Sequence, residues 1–254
     1  MLHLRNGEII PCRVSSYDGT IVGFQSPFVK RRRIDAAHVK AVEFIPLKNK
    51  ALENNASGVM SEWLNDVLDP KQKPPRDIDP VKLVRALTVP RFQRDNPPSH
   101  ILVARNGDLK RGSLLAISGE TIQFESKRRK QTVPISRLAR VVNVSRPDEP
   151  PEETADLRGQ VRVSLADGSI LVFEPTDSKE GALVGRSPIY GDVAIPTRSI
   201  WRLNVGGFEK DMLKFSFEDW VVHPAKEPEF GEPSPPAEYP PNSERPDQQP
   251  ASGS

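Results

Sequence analysis

Residues 101–144 read ILVARNGDLKRGSLLAISGETIQFESKRRKQTVPISRLARVVNV. The pair Asn106-Gly107 follows a short apolar run and sits where a hairpin turn is needed. A type I′ turn asks both central residues for positive φ, which Asn, Asp and Gly tolerate best. Thr121-Ile122-Gln123-Phe124 alternates as a half-buried strand does, and Ser118-Gly119 before it is a second turn. Val133-Pro134 and Leu138–Val141 read as two more strands, with the proline at a strand start or on an edge because it has no N–H to donate. Four or five short strands in about 45 residues suggest a small twisted sheet or barrel.

The same frame occurs twice more. LHLRNGEIIPCRVSSYDGTIVGFQSPFVKRRRIDAAHVKAVEF begins at Leu2, and VRVSLADGSILVFEPTDSKEGALVGRSPIYGDVAIPTRSIWRLNV begins at Val161. Asn6-Gly7 and Asp167-Gly168 take the place of Asn106-Gly107, and Ser26, Ser126 and Ser187 each follow the turn glycine by nineteen positions. Gly19 matches Gly119, and Phe24 matches Phe124. The closing hydrophobics Val39, Leu138 and Ile200 lie at matching distances to within one residue. An internal repeat is the first thing to look for, because missing it misreads the whole fold.

Outward from these stretches the chain divides as follows: a first β module (1–45), a connector (46–100), a second module (101–145), an acidic proline-rich linker (146–159), a third module with a C-terminal extension (160–223), and a tail (224–254). Trp63, Leu64, Val67 and Leu68 have helical spacing over Glu62–Leu68. A second short helix over Asp79–Leu87 has Asp79 as N-cap and Pro80 at its first position. Phe215–Val222 reads as a last strand anchored by Trp220. The tail is rich in Pro, Glu, Ser and Gln and is expected to be disordered. The fold class is therefore mainly β: three repeated antiparallel modules, barrel-like, with two short helices between the first two.

Composition excludes several kinds of protein. The 254 residues are 36% hydrophobic and 6% aromatic, with 26 prolines and a net charge of +2. That charge is too small to argue for nucleic acid by itself. The single cysteine, Cys12, makes neither an internal disulfide nor a thiolate cluster. No apolar run reaches the length a membrane span needs. His3, His38, His100 and His223 have no metal-ligand spacing, and no nucleophile elbow, phosphate loop or zinc-protease motif occurs. No catalytic residue, metal ligand, cofactor or small-molecule substrate is expected. The abrupt start in a strand suggests a piece of a longer protein, which would then be extracytoplasmic.

One electrostatic feature stands out. Lys30-Arg31-Arg32-Arg33 and Lys127-Arg128-Arg129-Lys130 fall in the same hairpin of the first two modules. The third module has Ile189-Tyr190-Gly191-Asp192 there. These eight residues are the candidate anion-binding set, able to contact phosphates or an acidic polymer. No aromatics except Phe28 interleave them to stack on bases.

Asn106-Gly107-Asp108-Leu109-Lys110-Arg111-Gly112 followed by Thr121–Phe124 resembles the opening of Sm-like barrels. That family's asparagine would fall near Gln123, and its late Arg-Gly pair is missing, so the resemblance implies fold kinship rather than ring-forming RNA binding. Ala86-Leu87-Thr88-Val89-Pro90-Arg91-Phe92, Pro97-Pro98-Ser99-His100 and Trp220-Val221-Val222-His223-Pro224-Ala225 resemble repeated β modules of large planctomycete-type proteins. Some of those look as if they carry a thioredoxin-like domain, and this chain has no Cys-x-x-Cys. The expected function is a non-enzymatic β-repeat scaffold with a protein partner. The alternatives are a polyanion or nucleic-acid binder acting through the basic hairpins, and the accessory region of a larger enzyme.

Overall fold

The computed structural model describes residues 1–44, 75–145, 157–208 and 214–226. The first stretch holds β1 (Leu2–Leu4), β2 (Ile9–Ile10), β3 (Arg13–Tyr17), β4 (Ile21–Gln25), β5 (Arg33–Asp35), a 3₁₀ turn (Ala36–His38) and β6 (Val39–Glu43). Helix α1 (Pro80–Leu87) and β7 (Thr88–Val89) precede the second set: β8 (His100–Ala104), β9 (Leu109–Ser118), β10 (Thr121–Ser126), β11 (Arg129–Pro134), a 3₁₀ turn (Ile135–Arg137) and β12 (Leu138–Asn143). The third set is β13 (Val161–Leu165), β14 (Ile170–Lys179), β15 (Ala182–Ser187), β16 (Gly191–Pro196), a 3₁₀ turn (Thr197–Ser199) and β17 (Ile200–Val205). A last short strand, β18 (His223–Pro224), pairs parallel with β7.

The three turns share one hydrogen-bond pattern. The amides of Gly7, Gly107 and Gly168 donate to the carbonyls of Leu4, Ala104 and Leu165 at 3.3, 3.0 and 3.1 Å. Asn6, Asn106 and Asp167 each accept from the amide two residues on, at 3.2, 3.1 and 2.9 Å. The turn type differs from the expected one. Only the glycines have positive φ, at 88°, 84° and 84°. The Asn or Asp side chain bonds its own backbone, and glycine alone takes the left-handed position, which is a type I turn closed by a glycine bulge. Pro134 and Pro196 end strands rather than open them, and each leads into a 3₁₀ turn at φ −64° and −55°. Asp35 holds that place in the first set and caps Ala37 with its side chain.

The fold is mainly β and antiparallel, but it is not three separate barrels. One hydrogen-bonded network joins 16 strands. β6 pairs with β12 through Val42↔Val141, and β3 with β9 through Tyr17↔Ile117. β2 meets β14 at Ile9↔Ile170. One core runs through all three sets, including Phe24, Phe124, Phe173 and Tyr190. Each such side chain contributes about 1.5–3 kcal/mol when fully buried.

A second, smaller cluster covers the other face of the β6–β12 seam. Ala41, Ala86, Ala139, Val142 and Val144 pack there with Phe217, Trp220 and Val222. α1 forms as the sequence predicts, with Asp79 capping the amide of Val81 at 2.9 Å and Pro80 at the start. The helix expected over Glu62–Leu68 lies outside the described residues, as do most of the acidic linker and the tail beyond Lys226. Phe215–Val222 is not a strand: it runs as turns, with Phe217 at φ 65°. Pairing begins only at His223, and Ala225 donates to the Val89 carbonyl at 2.9 Å. Among the described residues no helix is long and apolar enough to cross a membrane.

Candidate anion-binding groove

The two basic runs sit in different settings. Ser126 pairs with Arg129, so Lys127 and Arg128 alone form the turn between β10 and β11. Both have positive φ, 52° and 60°, so the type I′ turn falls here, on two residues with side chains. All four of Lys127, Arg128, Arg129 and Lys130 are exposed. Lys127, Arg128 and Arg129 have no side-chain hydrogen bond or ion pair among the described residues.

Lys30–Arg33 is not a free tip. Phe28 and Val29, just before it, are buried against the third set. Ala194 donates to the Phe28 carbonyl at 2.9 Å, and Lys30 N–H donates to the Asp192 carbonyl at 3.0 Å. The Arg31 guanidinium donates to the Ile189 carbonyl at 2.8 Å, and Lys30 Nζ lies 3.8 Å from Asp192. All four residues of the run are nonetheless exposed. This run is bonded to the third set, whereas Lys127–Lys130 turns between β10 and β11.

An open groove of about 1100 Å³ lies along the free tip. Lys110, Arg111, Lys127, Arg128 and Arg129 line it, with Glu125 the one carboxylate among its walls. Lys110 donates to Gln131 and Arg111 to the Thr88 carbonyl, both neutral acceptors that leave the cationic charge uncompensated. Burial lowers the pKa of Arg111, with Arg85 adding to the effect. Gly112 floors the groove, with no room for a side chain: a Cβ there would stand 2.0 Å from the Glu125 carbonyl oxygen. Phe92, from the 3₁₀ turn Arg91–Gln93, forms part of the wall and is 84% exposed. Sequence reading missed it because it comes from the connector, 35 positions before the tip.

No family model, curated protein or solved structure matches this chain.

Two buried polar clusters lie at the seams. His3 Nε2 is 3.1 Å from Glu43 Oε2, and Arg140 Nη2 is 3.3 Å from Glu43 Oε1. Phe217 stacks edge-on to His3 and carries Arg140 over its face at 5.4 Å. Buried Lys40 donates to the Trp220 carbonyl at 2.9 Å. Desolvation, and then Arg5, lower its pKa to about 8. At the other seam Glu8 is buried beside Tyr190, whose hydroxyl donates to the Val172 carbonyl at 2.8 Å. Burial pushes Glu8 up to about 7, against the influence of the neighbouring Tyr190 hydroxyl and of the Asn6 amide, which donates to it at 2.9 Å. His100 is held down to about 4 by burial and then by Arg5. Glu43 and Arg140 meet across the β6–β12 seam, whereas His100 bonds within its own set, to Ser99 and the Leu114 amide. Among the described residues no three His, Cys, Asp or Glu side chains gather as a metal site. Cys12 is buried, and burial raises its thiol to about 11, opposite to what a nucleophile needs.

Proposed function

We propose that this chain is a non-enzymatic β scaffold, built from three copies of one small barrel-like module, that holds an acidic, extended segment of a partner protein in the groove beside Lys127–Arg129. The carrying observation is the groove itself: five cations and one carboxylate line about 1100 Å³ of open space. Clefts lined by one sign of charge concentrate counter-charged partners and speed their association. A polypeptide fits better than a nucleic acid, because Phe92 is the one aromatic lining the groove. Strand-tracking nucleic-acid sites stack several successive bases. Support for the module reading is the threefold recurrence of the turn hydrogen bonds and of the 3₁₀ turn before the closing strand.

The test is fluorescence anisotropy with a labelled oligoglutamate peptide and, in parallel, a labelled oligothymidine, at several salt concentrations. The peptide is expected to bind more tightly than the oligonucleotide, and more weakly as salt rises. Arg128→Gln with Arg129→Gln lowers its affinity about tenfold, as loss of two partly exposed ion pairs implies. Peptide binding unaffected by those substitutions, or tighter binding of the oligonucleotide that is lost with Phe92→Ala, rejects this reading.

A further inference from the structure

The closing strands of the three sets have different fates. β6 and β12 each pair with their own opening strand on one side and with each other on the other side. Val42 faces Val141, and the two hold the same place in their respective sets, so the seam has local two-fold symmetry. An interface of that kind is self-complementary. β17 is built the same way. All three closing strands carry the same register shift, between His3 and Leu4, Leu138 and Arg140, and Ser164 and Leu165. Leu203 stands opposite Val163 as Val42 stands opposite Leu2. Yet β17 pairs only with β13, and among the described residues its outer edge has no partner.

That edge is poorly protected. Trp201 is 73% exposed, Leu203 47% and Val205 77%. Exposed edges are normally blunted by Lys, Pro or repeated charge. β11 has Arg-Lys at its start and Pro134 at its end, whereas β17 reads Ile-Trp-Arg-Leu-Asn-Val with a single charge. Leu203 and Val205 lie at the positions of Val42 and Phe44, which pack on the shared core. Arg202 holds the place of Arg140, whose guanidinium crosses the seam to Glu43.

We propose that β17 is a self-association edge: two copies of the chain pair β17 with β17 antiparallel across a two-fold axis, in the register that β6 and β12 use within one chain. Leu203 then faces the partner's Leu203 on the axis, and Arg202 faces the partner's Asn204. The second copy is the occupant because an edge of this construction already pairs with its own equivalent in this molecule. The β6–β12 seam also shows that an aliphatic pair on the axis, Val42 with Val141, and an arginine beside it, Arg140, suit such a contact.

Position 204 supplies the test. In the β6–β12 seam the place of Asn204 belongs to Glu43, the partner of Arg140. Sedimentation velocity on the full chain, from micromolar to millimolar protein, is expected to show a concentration-dependent dimer. Asn204→Glu creates two symmetry-related pairs with Arg202 and tightens the dimer about fivefold. Asn204→Lys sets like charges opposite each other and leaves a monomer with an unchanged melting temperature. Leu203→Cys oxidises to an intermolecular disulfide, since directly opposed residues sit about 5.5 Å apart at Cα, within disulfide range. Cys12 is buried and does not compete. A wild-type chain and Asn204→Glu variant that both stay monomeric throughout overturn the proposal. So does a dimer indifferent to both substitutions at 204, or a monomer whose β17 amides are protected from exchange by another segment of the chain.

Discussion

A phenylalanine and a glycine exchange places between the second and third sets. Gly112 on β9 lies under Phe124 on β10: a Cβ at 112 would stand 2.6 Å from the Phe124 ring. In the third set Gly185 on β15 lies under Phe173 on β14, at 2.3 Å. Counted from the turn glycine, Phe173 is at the place of Gly112, and Gly185 at that of Phe124. One ring fills the core from either strand, and the facing position must then be bare. Gly112→Ala is therefore expected to destabilise the protein by about 2–3 kcal/mol, the scale of core overpacking. Gly112→Phe combined with Phe124→Gly should be far less harmful than the sum of the two single changes, as expected for residues in contact. Urea melts of the four proteins check this, and additive losses would contradict it. A second residue-scale effect is pH dependence. The Glu8 carboxyl is raised in the folded state to about 7, so its contribution is full below the ordinary carboxyl value and is lost as pH rises through 7. His100, lowered to about 4, acts oppositely: its contribution is present above the ordinary histidine value and fades in acid. Lys40, lowered to about 8, loses its charge in the folded state as pH rises through that value, and its contribution is likewise present only at higher pH. His100 and Lys40 also titrate near neutral pH, so the Glu8 effect around pH 7 is read as the difference between the wild-type and Glu8→Gln profiles. Glu8→Gln should flatten the stability profile there and gain on the order of 2 kcal/mol over wild type by pH 8. Melts across that range would read it, and parallel profiles would refute it.

At the scale of elements, the hairpin turn of β10 and β11 holds Lys127 and Arg128 in the left-handed region. That conformation costs non-glycine residues roughly 1–2 kcal/mol each. The same two cations line the groove, so the strain places charge where a ligand would lie. Replacing Lys127 with Asn and Arg128 with Gly is expected to raise stability by about 1–2 kcal/mol and to weaken acidic-peptide binding. Thermal melts and anisotropy together check the opposite signs. How far such features could be read from the chain depends on their range. The glycine turns, the Asp79 cap and the order of short strands are set by residues within a few positions of one another, and they form where the sequence places them. The turn type was misjudged because Asn-Gly suits both a type I′ turn and a type I turn with a glycine bulge. Lys30–Arg33 is exposed, and the apolar pair Phe28-Val29 beside it was the legible sign that the hairpin meets another part of the molecule. The seams left no local sign: nothing near Ala41 in the chain announces Val142. Phe92 was invisible as a groove residue for the same reason.

At the scale of the whole molecule, the first set lies between the other two. Its closing strand pairs with β12, its β2 with β14, and its core residues belong to one cluster with theirs. The C-terminal segment 214–226 completes the assembly from far away in sequence. Phe217 and Trp220 cover the outer face of the β6–β12 seam, and the Trp220 carbonyl accepts from the buried Lys40 ammonium. β18 then ties the segment to β7, beside α1. Removing this clamp would strip the cover from Ala139, Val142 and Val144 and leave a buried ammonium without its acceptor. Loss of such a partner costs about 1–3 kcal/mol before any apolar exposure is added. Cutting the chain after Lys226 should therefore leave stability within about 0.5 kcal/mol of the full protein, the range of ordinary surface changes. Cutting before Lys214 should lower it by about 3 kcal/mol or more, the sum of lost packing and the orphaned donor. Trp220→Ala in the full chain should fall between the two, because it removes the ring but keeps the backbone carbonyl that Lys40 uses. Chemical denaturation of the three proteins gives the ordering directly. A shortened chain ending before Lys214 that melts like the full protein would mean that strand pairing alone holds the seam, and that the clamp only shields it from solvent.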